Sequence, residues 1–451
     1  TEMDDPTSMI AAYIAEAAGR PLPEAVADKA RLHLLDGLAA ILSGSRLKPG
    51  RMGAAFVESL GGREEATVLG TPLLTSSVNA ALANGMSGHA DETDDSHAAG
   101  RFHPGCAILP AALAMAERQG RSGTELLRAM VLGYDIGARF TLALGFSAPR
   151  SGTHSTHSTG TIFGATAAAG SLAGLTAEQC AWAIAYAVQQ ASGVPIWHRD
   201  PEHVEKSFDF GGMGARNGVT AALMAAAGMS GVADPLTGPH GYIEAFAEKA
   251  DPAALTDGLG DRYEIMRASI KKWTTGMPIQ AALDSLTVLM AEHGLRADDV
   301  ARLTAILPDD RLAIVDNGRM PDVCLQHLLA VTLVDGGLTF KSSHDEARMH
   351  DPEVLEVRSR VAAVPSAELT TARPERQAII EIETRDGRRL AHRTRAVRGT
   401  PDNPMTQDEV AAKARDLLVP VIGGRADALI ETAFAIEAID DLRELRPLLR
   451  G

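Results

Sequence analysis

The stretch Gly88 to Gly105, GHADETDDSHAAGRFHPG, holds the densest set of ionisable side chains in this sequence. His89, His97 and His103 are interspersed with Glu92, Asp94 and Asp95, and two chemistries use such a set. In the first, Pro104 opens a helix and places His103 at or beside its N-cap. The positive helix end favours neutral imidazole there, which can take a proton with a nearby carboxylate as partner. In the second, His89, Asp94, Asp95, His97 and His103 are metal ligands. No HxxxH or HxH pair on a rigid element supports that reading. The plainly structural alternative has Asp94 and Asp95 capping a helix and His97 solvated.

The elements that must position this set read mostly as helices. The segment before it, SSVNAALANGMSGH, puts Val78, Leu82, Gly85 and His89 on one helical face. Glycine and charge then break the pattern, so Glu92 to Phe102 is expected as a loop. Upstream, ADKARLHLLDGLAAILSG carries a stripe of Leu32, Leu35, Leu38 and Ile41 or Leu42, stopped by Gly44. Downstream, the uncharged run from Ser158 to Ala177 reads as a buried helix pair. Thr176 with Gln179 forms a capping box, and GMGARNGVTAALMAAAGMSG, opened by a Gly-Gly pair, is apolar nearly all round.

After about Asp261 the texture changes. Val300 to Asp309 and Gln377 to Val397 alternate as strands do, and Asp386-Gly387 marks a hairpin. Helices are expected around Pro278 to His293 and Val323 to Val334, with a helical pattern returning from Thr406. The fold class is therefore mainly α: a large helical domain made from both chain ends (1–265 and 399–451) with an inserted smaller α+β domain (266–398).

Composition narrows the function. The chain has 451 residues, a net charge of -15 and only 4% aromatics. An acidic surface argues against nucleic acid, although a locally basic pocket still suits a small anion. Cys106, Cys180 and Cys324 are sparse and far apart, which fits a reducing compartment without a disulfide framework. The acidic N-terminus, TEMDDPTSMI, lacks a signal-peptide pattern, so a cytoplasmic protein with no membrane partner is expected.

The cluster resembles the MmgE/PrpD family, which includes 2-methylcitrate dehydratases, cis-aconitate decarboxylases and iminodisuccinate epimerases. The residues that carry the resemblance are Asn84-Gly85, His89, Asp94-Asp95-Ser96, His103-Pro104 and the following LPAALAMAE. It continues through THSTGTIFGATAAAGSLAGL, with His157 as the matching histidine, and VEKSFDFGGMGARNG, which aligns Lys206 and Arg216. IKKWTTGMPIQAALDSL aligns Lys271, and VCLQHLLAVTLVDGG contains His327. The resemblance implies a helical domain with an α+β lid, a homodimer and no cofactor. It also implies a catalytic set of His103 and His157 with an acid among Glu92, Asp94 and Asp95. Lys206 and Lys271 correspond to positive groups of the pocket. Arg216 is expected as a further anion contact or an ion-pair partner, and Arg101, absent from the family pattern, as a substrate-selecting addition or a solvated side chain.

Three departures bear on the reaction. Glu92 stands where the family usually has Asp. Thr274, Thr275, Gly276 and Met277, with Gln280, replace a Cys or His pair followed by His. His327 stands where Tyr is frequent. These changes count against cis-aconitate decarboxylation and modestly against 2-methylcitrate. The expectation is a lyase that abstracts a proton beside a carboxylate, chiefly a dehydratase of a hydroxy di- or tricarboxylate. Epimerisation of an amino or imino dicarboxylate, or decarboxylation, is the alternative on the same scaffold. A metal-dependent hydrolase and a non-catalytic binding protein are the rivals from other classes.

Overall fold

The computed structural model describes residues 5–451; the start of the N-terminal segment used in the signal-peptide reading lies outside them. The chain divides into two compact units. One comprises the residues up to Ala268 together with Val410–Gly451, and the other is Ser269–Glu409. Among the described residues no helix is long and apolar enough to cross a membrane, and the three cysteines are free and buried.

The first unit is helical. Its main elements are α1 (Pro6–Glu16), α2 (Glu24–Gly44), α3 (Lys48–Leu60), α4 (Ser77–Gly88), α5 (Gly105–Gln119), α6 (Gly123–Leu142), α7 (His157–Leu172) and α8 (Ala177–Gln190). A short α9 (Val204–Ser207) runs through a π-helical segment, Phe208–Gly212, into α10 (Met213–Ala226). The Gly-Gly pair expected to open a helix therefore sits inside a continuous one, in its widened turn. The run from Ser158 forms one long helix, not a pair, and every residue from Ser158 to Leu172 is buried. Small side chains allow this: a Cβ on Gly164 would lie 2.6 Å from the Gly133 carbonyl oxygen, so α6 and α7 cross almost backbone to backbone. The capping box at Thr176 and Gln179 is present.

Helix α2 is buried more completely than a single apolar stripe requires. Leu34, Leu35 and Leu38 are enclosed, but so are His33 and Asp36. The cation for Asp36 comes from α11 (Gln407–Ile422), where Lys413 Nζ lies 2.7 Å from Asp36 Oδ1 and donates also to the Thr93 carbonyl at 3.1 Å. A buried carboxylate and ammonium need each other, because either alone in a dry interior is costly.

The second unit is α+β. Strands β1 (Val300–Pro308), β2 (Val361–Ser366), β3 (Ala378–Thr384) and β4 (Arg389–Thr394) form one sheet in the order β2-β1-β3-β4. β1 pairs parallel with β2 and antiparallel with β3, and β3 and β4 form the hairpin expected at Asp386-Gly387. Leu303, Leu307, Ile380 and Ile382 project to one buried face, where Leu283, Leu286 and Leu328 join them. The last three come from helices Gln280–His293 and Leu325–Asp335. Residues 399–409 belong to this unit. The Gly399 carbonyl accepts from Ile270 N–H at 2.9 Å, and Arg398 is ion-paired with Glu409.

Candidate active site

Three histidines of the first unit gather around one phenylalanine, and a fourth stands beside one of them. His157, the first residue of α7, stacks on Phe210 with centroids 4.0 Å apart and planes 13° apart. His89, just past the end of α4, stacks at 4.3 Å. His103 lies 5.5 Å from the same ring and 5.6 Å from His157, and His203 lies 5.1 Å from His89. Phe210 reaches this position from the π-helical segment, whose extra residue per turn turns the ring towards the helix ends that carry the histidines. A close approach supports it: a Cβ on Gly85 would lie 2.7 Å from the Gly211 carbonyl, so α4 and the π turn meet only because both positions are glycine. Cys106 Sγ sits between the carbonyls of His103 and Phe210, at 3.1 and 3.3 Å.

The three expected carboxylates do different things. Asp94 is buried; both of its oxygens lie 3.0 Å from His89 Nδ1, and one lies 3.4 Å from His103 Nδ1. Burial opposes its charge, but His89 and His103 outweigh that and hold its carboxyl well below the usual range. His89 itself is pushed down to about 4 by burial, against the pull of Asp94. The pair is thus ionised Asp94 with neutral His89. Asp95 is a brace. It accepts from Gly105 N–H at 2.9 Å, contacts His33 Nδ1 at 2.6 Å and accepts from the Tyr134 hydroxyl. It thereby ties α2 and α6 to the start of α5, next to His103. Glu92 faces two partners, an ion pair with Lys206 Nζ and His203 Nε2 at 3.1 Å.

Lys206 also stands 5.1 Å from the Phe210 ring centre and 5.8 Å from that of Trp197. His157 is pushed well below its ordinary value by burial, reinforced by the neighbouring His103, His89 and Lys206. The cluster around Phe210 therefore offers a neutral histidine base, a lysine, and an ionised aspartate held by two of the histidines. That suits proton removal beside a carboxylate. Among the described residues, two sets of side chains that could hold a metal ion bring their ligand atoms within 4.8 Å of one another, His89–Asp94–His103 and His89–Glu92–His203. In the first, His89 Nδ1 is already engaged by Asp94. In the second, a cation would have to displace Lys206 from Glu92.

The two family models that match the chain are the MmgE/PrpD N-terminal domain, over residues 8–255, and the MmgE/PrpD C-terminal domain, over 273–436. The chain belongs to the MmgE/PrpD family. It is 25% identical to a cis-aconitate decarboxylase-like protein of Aspergillus oryzae, covering 99% of this chain and 97% of the relative. It is 26% identical to the human cis-aconitate decarboxylase, covering 95% and 91%, and 25% identical to that of Aspergillus terreus, covering 98% and 95%.

The remaining expected site residues have partners of their own or belong to the second unit. Arg101 adopts φ 52, and its guanidinium is held by the Ser147 carbonyl at 3.2 Å and by Ser151, not by the histidine cluster. Arg216 donates to Asn217 Oδ1 at 3.0 Å and covers the Phe208 ring at 5.3 Å. Lys271 and His327 belong to the second unit, where both are buried. Neither His327 nitrogen is hydrogen-bonded, and burial, with Arg358 and Arg348 nearby, pushes the ring down to about 4. In the same unit Gln280, at the position where many family members have histidine, clamps the WTTG turn. Its amide donates to the Trp273 carbonyl at 2.8 Å and the Thr275 carbonyl at 3.1 Å, and accepts from Trp273 N–H at 3.1 Å.

His203, Ser207, Phe210 and Trp197 were not read from the sequence. A signal existed for two of them: His203 and Phe210 stand three before and four after Lys206, which is one helical face.

Proposed function

We propose that this MmgE/PrpD enzyme is a lyase that removes a proton from the carbon beside a carboxylate of a small polycarboxylic acid. The leading reaction is loss of water from a hydroxy di- or tricarboxylate. The observation that carries this is His157, its charged form disfavoured by burial, stacked on the Phe210 ring that Lys206, paired with Glu92, also approaches, with His103 5.6 Å away. In this reading His157 takes the proton and Lys206 stabilises the enediolate-like charge that develops on the substrate carboxylate. His103, oriented by Asp94, or Glu92 returns a proton to the leaving hydroxyl. All the protons involved are held by side chains, so no cofactor is required.

Decarboxylation is the second reading, favoured by the names of the relatives that match over nearly the whole chain. There the same acid would protonate the carbanion left by departing CO2. Epimerisation of an amino or imino dicarboxylate would need the acid on the opposite face.

Proton NMR in D2O separates these readings. The metal-stripped protein would be given citrate, 2-methylcitrate, cis-aconitate, malate, tartrate, iminodisuccinate and aspartate in turn. Exchange with a new alkene resonance marks a dehydratase, CO2 release a decarboxylase, and exchange alone an epimerase. Inertness towards every acid sinks the lyase reading. Near-stoichiometric zinc, iron or manganese in the purified protein, needed to restore activity, would move the case to the metal-dependent hydrolase.

A further inference from the structure

The hydrogen bonds around His203 restrict where protons can be. Ser207 Oγ lies 2.6 Å from the His89 carbonyl oxygen and is also in contact with the His203 carbonyl. A carbonyl only accepts, so the single Ser207 hydroxyl proton is committed to one of these two oxygens. His203 Nδ1 lies 3.0 Å from the same Oγ. With the hydroxyl proton pointing elsewhere, this contact is a hydrogen bond only if Nδ1 carries a proton and donates it. The other ring nitrogen, Nε2, lies 3.1 Å from Glu92 Oε1. A bare Nε2 against a bare carboxylate would set two lone pairs face to face, so a second proton must lie between them.

From this geometry we infer that His203 is a further working residue of the site, holding with Glu92 one transferable proton that Glu92 delivers to the substrate. The inference rests on the lyase reading above and names the acid of that reaction. The step balances simply. The Nε2–H bond of an imidazolium breaks as the Glu92 O–H bond forms, leaving neutral imidazole and a carboxylic acid. Glu92 then gives that proton to the leaving hydroxyl or to the carbanion, and a solvent proton later restores Nε2. The resting trio of Glu92, His203 and Lys206 carries one net positive charge, which matches an anionic substrate. His203 acts through Glu92 and is a positioning and proton-storing residue.

The backbone is shaped for this role. His203 adopts φ 61, in the left-handed region, immediately before α9. Non-glycine residues are uncommon there, and such strain persists only where neighbouring contacts hold it. The titratable and charged groups facing the ring are Glu92 from the loop after α4, His89 at the end of α4, and Lys206 and Asp200 from its own segment.

The decisive measurement is 15N NMR of the resting, substrate-free enzyme labelled at histidine, with His203 assigned by its absence in His203→Gln. The expected result is a protonated Nδ1 and a second proton at Nε2 shared with Glu92. A His203 with an unprotonated Nδ1 overturns the proposal. With whichever acid proves to be the substrate, His203→Gln keeps a donor to Glu92 but stores no proton. It is expected to lower kcat about 10- to 100-fold, a modest share of typical acid–base contributions, with KM changed by less than about threefold. It should also shift the pH profile of kcat, whereas an unchanged profile and kcat would remove His203 from the reaction. If the wild type is inert towards every acid, the lyase reading fails while the NMR result still decides the protonation of His203.

Discussion

The histidines of the site differ because their surroundings differ. His89 is enclosed and His157 is half-buried against Phe210, and desolvation disfavours the charged form of both. An exposed histidine gains its proton near pH 6.5, whereas these two should remain neutral when the pH falls from about 7.5 to 5.5. A histidine-labelled NMR titration checks this: movement of the His157 resonances with a midpoint near the ordinary value contradicts the assignment of His157 as a pre-deprotonated base. Lys206 supplies the charge, and its pairing with Glu92 keeps it beside the ring face of Phe210. Replacing Lys206 by Ala should weaken polycarboxylate binding by about tenfold or more, roughly 1.4 kcal/mol, and Lys206→Arg should retain part of it. Calorimetry on the two variants decides; equal affinity in wild type and Lys206→Ala removes Lys206 from the site.

Helices bring these side chains together by their ends. His89 follows α4, His103 precedes α5, His157 opens α7 and Lys206 lies in α9. The junction that aligns them is the contact of α4 with the π turn, where Gly85 meets the backbone of Gly211 and Gly212. Since no flexible side chain is available to give way, Gly85→Ala must push backbone against backbone. Overpacking of this kind costs about 1–3 kcal/mol. The expected outcome is a lower urea midpoint together with a lower kcat, because Phe210 moves with the turn. Wild-type stability and turnover in Gly85→Ala would show that the turn can shift freely. Asn84, one residue earlier, pins the same helix by accepting from Leu69 N–H and donating to the Thr67 carbonyl, both at 2.9 Å. The Asn84-Gly85 pair that signals the family is thus explained by packing, with no direct chemical role.

At the scale of the whole molecule, the first unit is closed by the last 42 residues of the chain, and the buried Asp36–Lys413 pair is its polar link. Removing one partner of such a pair costs about 3–5 kcal/mol, because the other charge is left buried. Asp36 is already raised to about 6 by burial, against the opposing field of Lys413. A carboxyl with a folded value above its unfolded one favours the fold at low pH and loses that contribution as the pH rises through the folded value. The stability deficit of Lys413→Met should therefore grow as the pH rises through about 6 and shrink below it, read from urea unfolding at several pH values. Adding Asp36→Asn should recover part of the loss. A deficit that does not vary with pH would show that Lys413 acts through packing alone.

Much of this was written in local patterns. The hairpin at Asp386-Gly387 and the capping box at Thr176 are short-range devices, so neighbouring residues suffice to specify them. The acid–histidine density of Gly88 to Gly105 and the His103-Pro104 helix start were legible for the same reason. Local pattern could not assign roles to Glu92, Asp94 and Asp95, because what separates them is who faces each one. Lys206 and His203 face Glu92, His89 and His103 face Asp94, and His33 and Tyr134 enclose Asp95. Those partners arrive from helices distant in sequence. Arg101 shows the same limit, since a left-handed backbone and two serines turned it to the surface. The sequence by itself determined the mainly helical class, the hairpin and the family. Tertiary structure alone decided which ionisable groups are dry, paired and close enough to exchange a proton, because desolvation and Coulomb fields depend on distance in space and not along the chain.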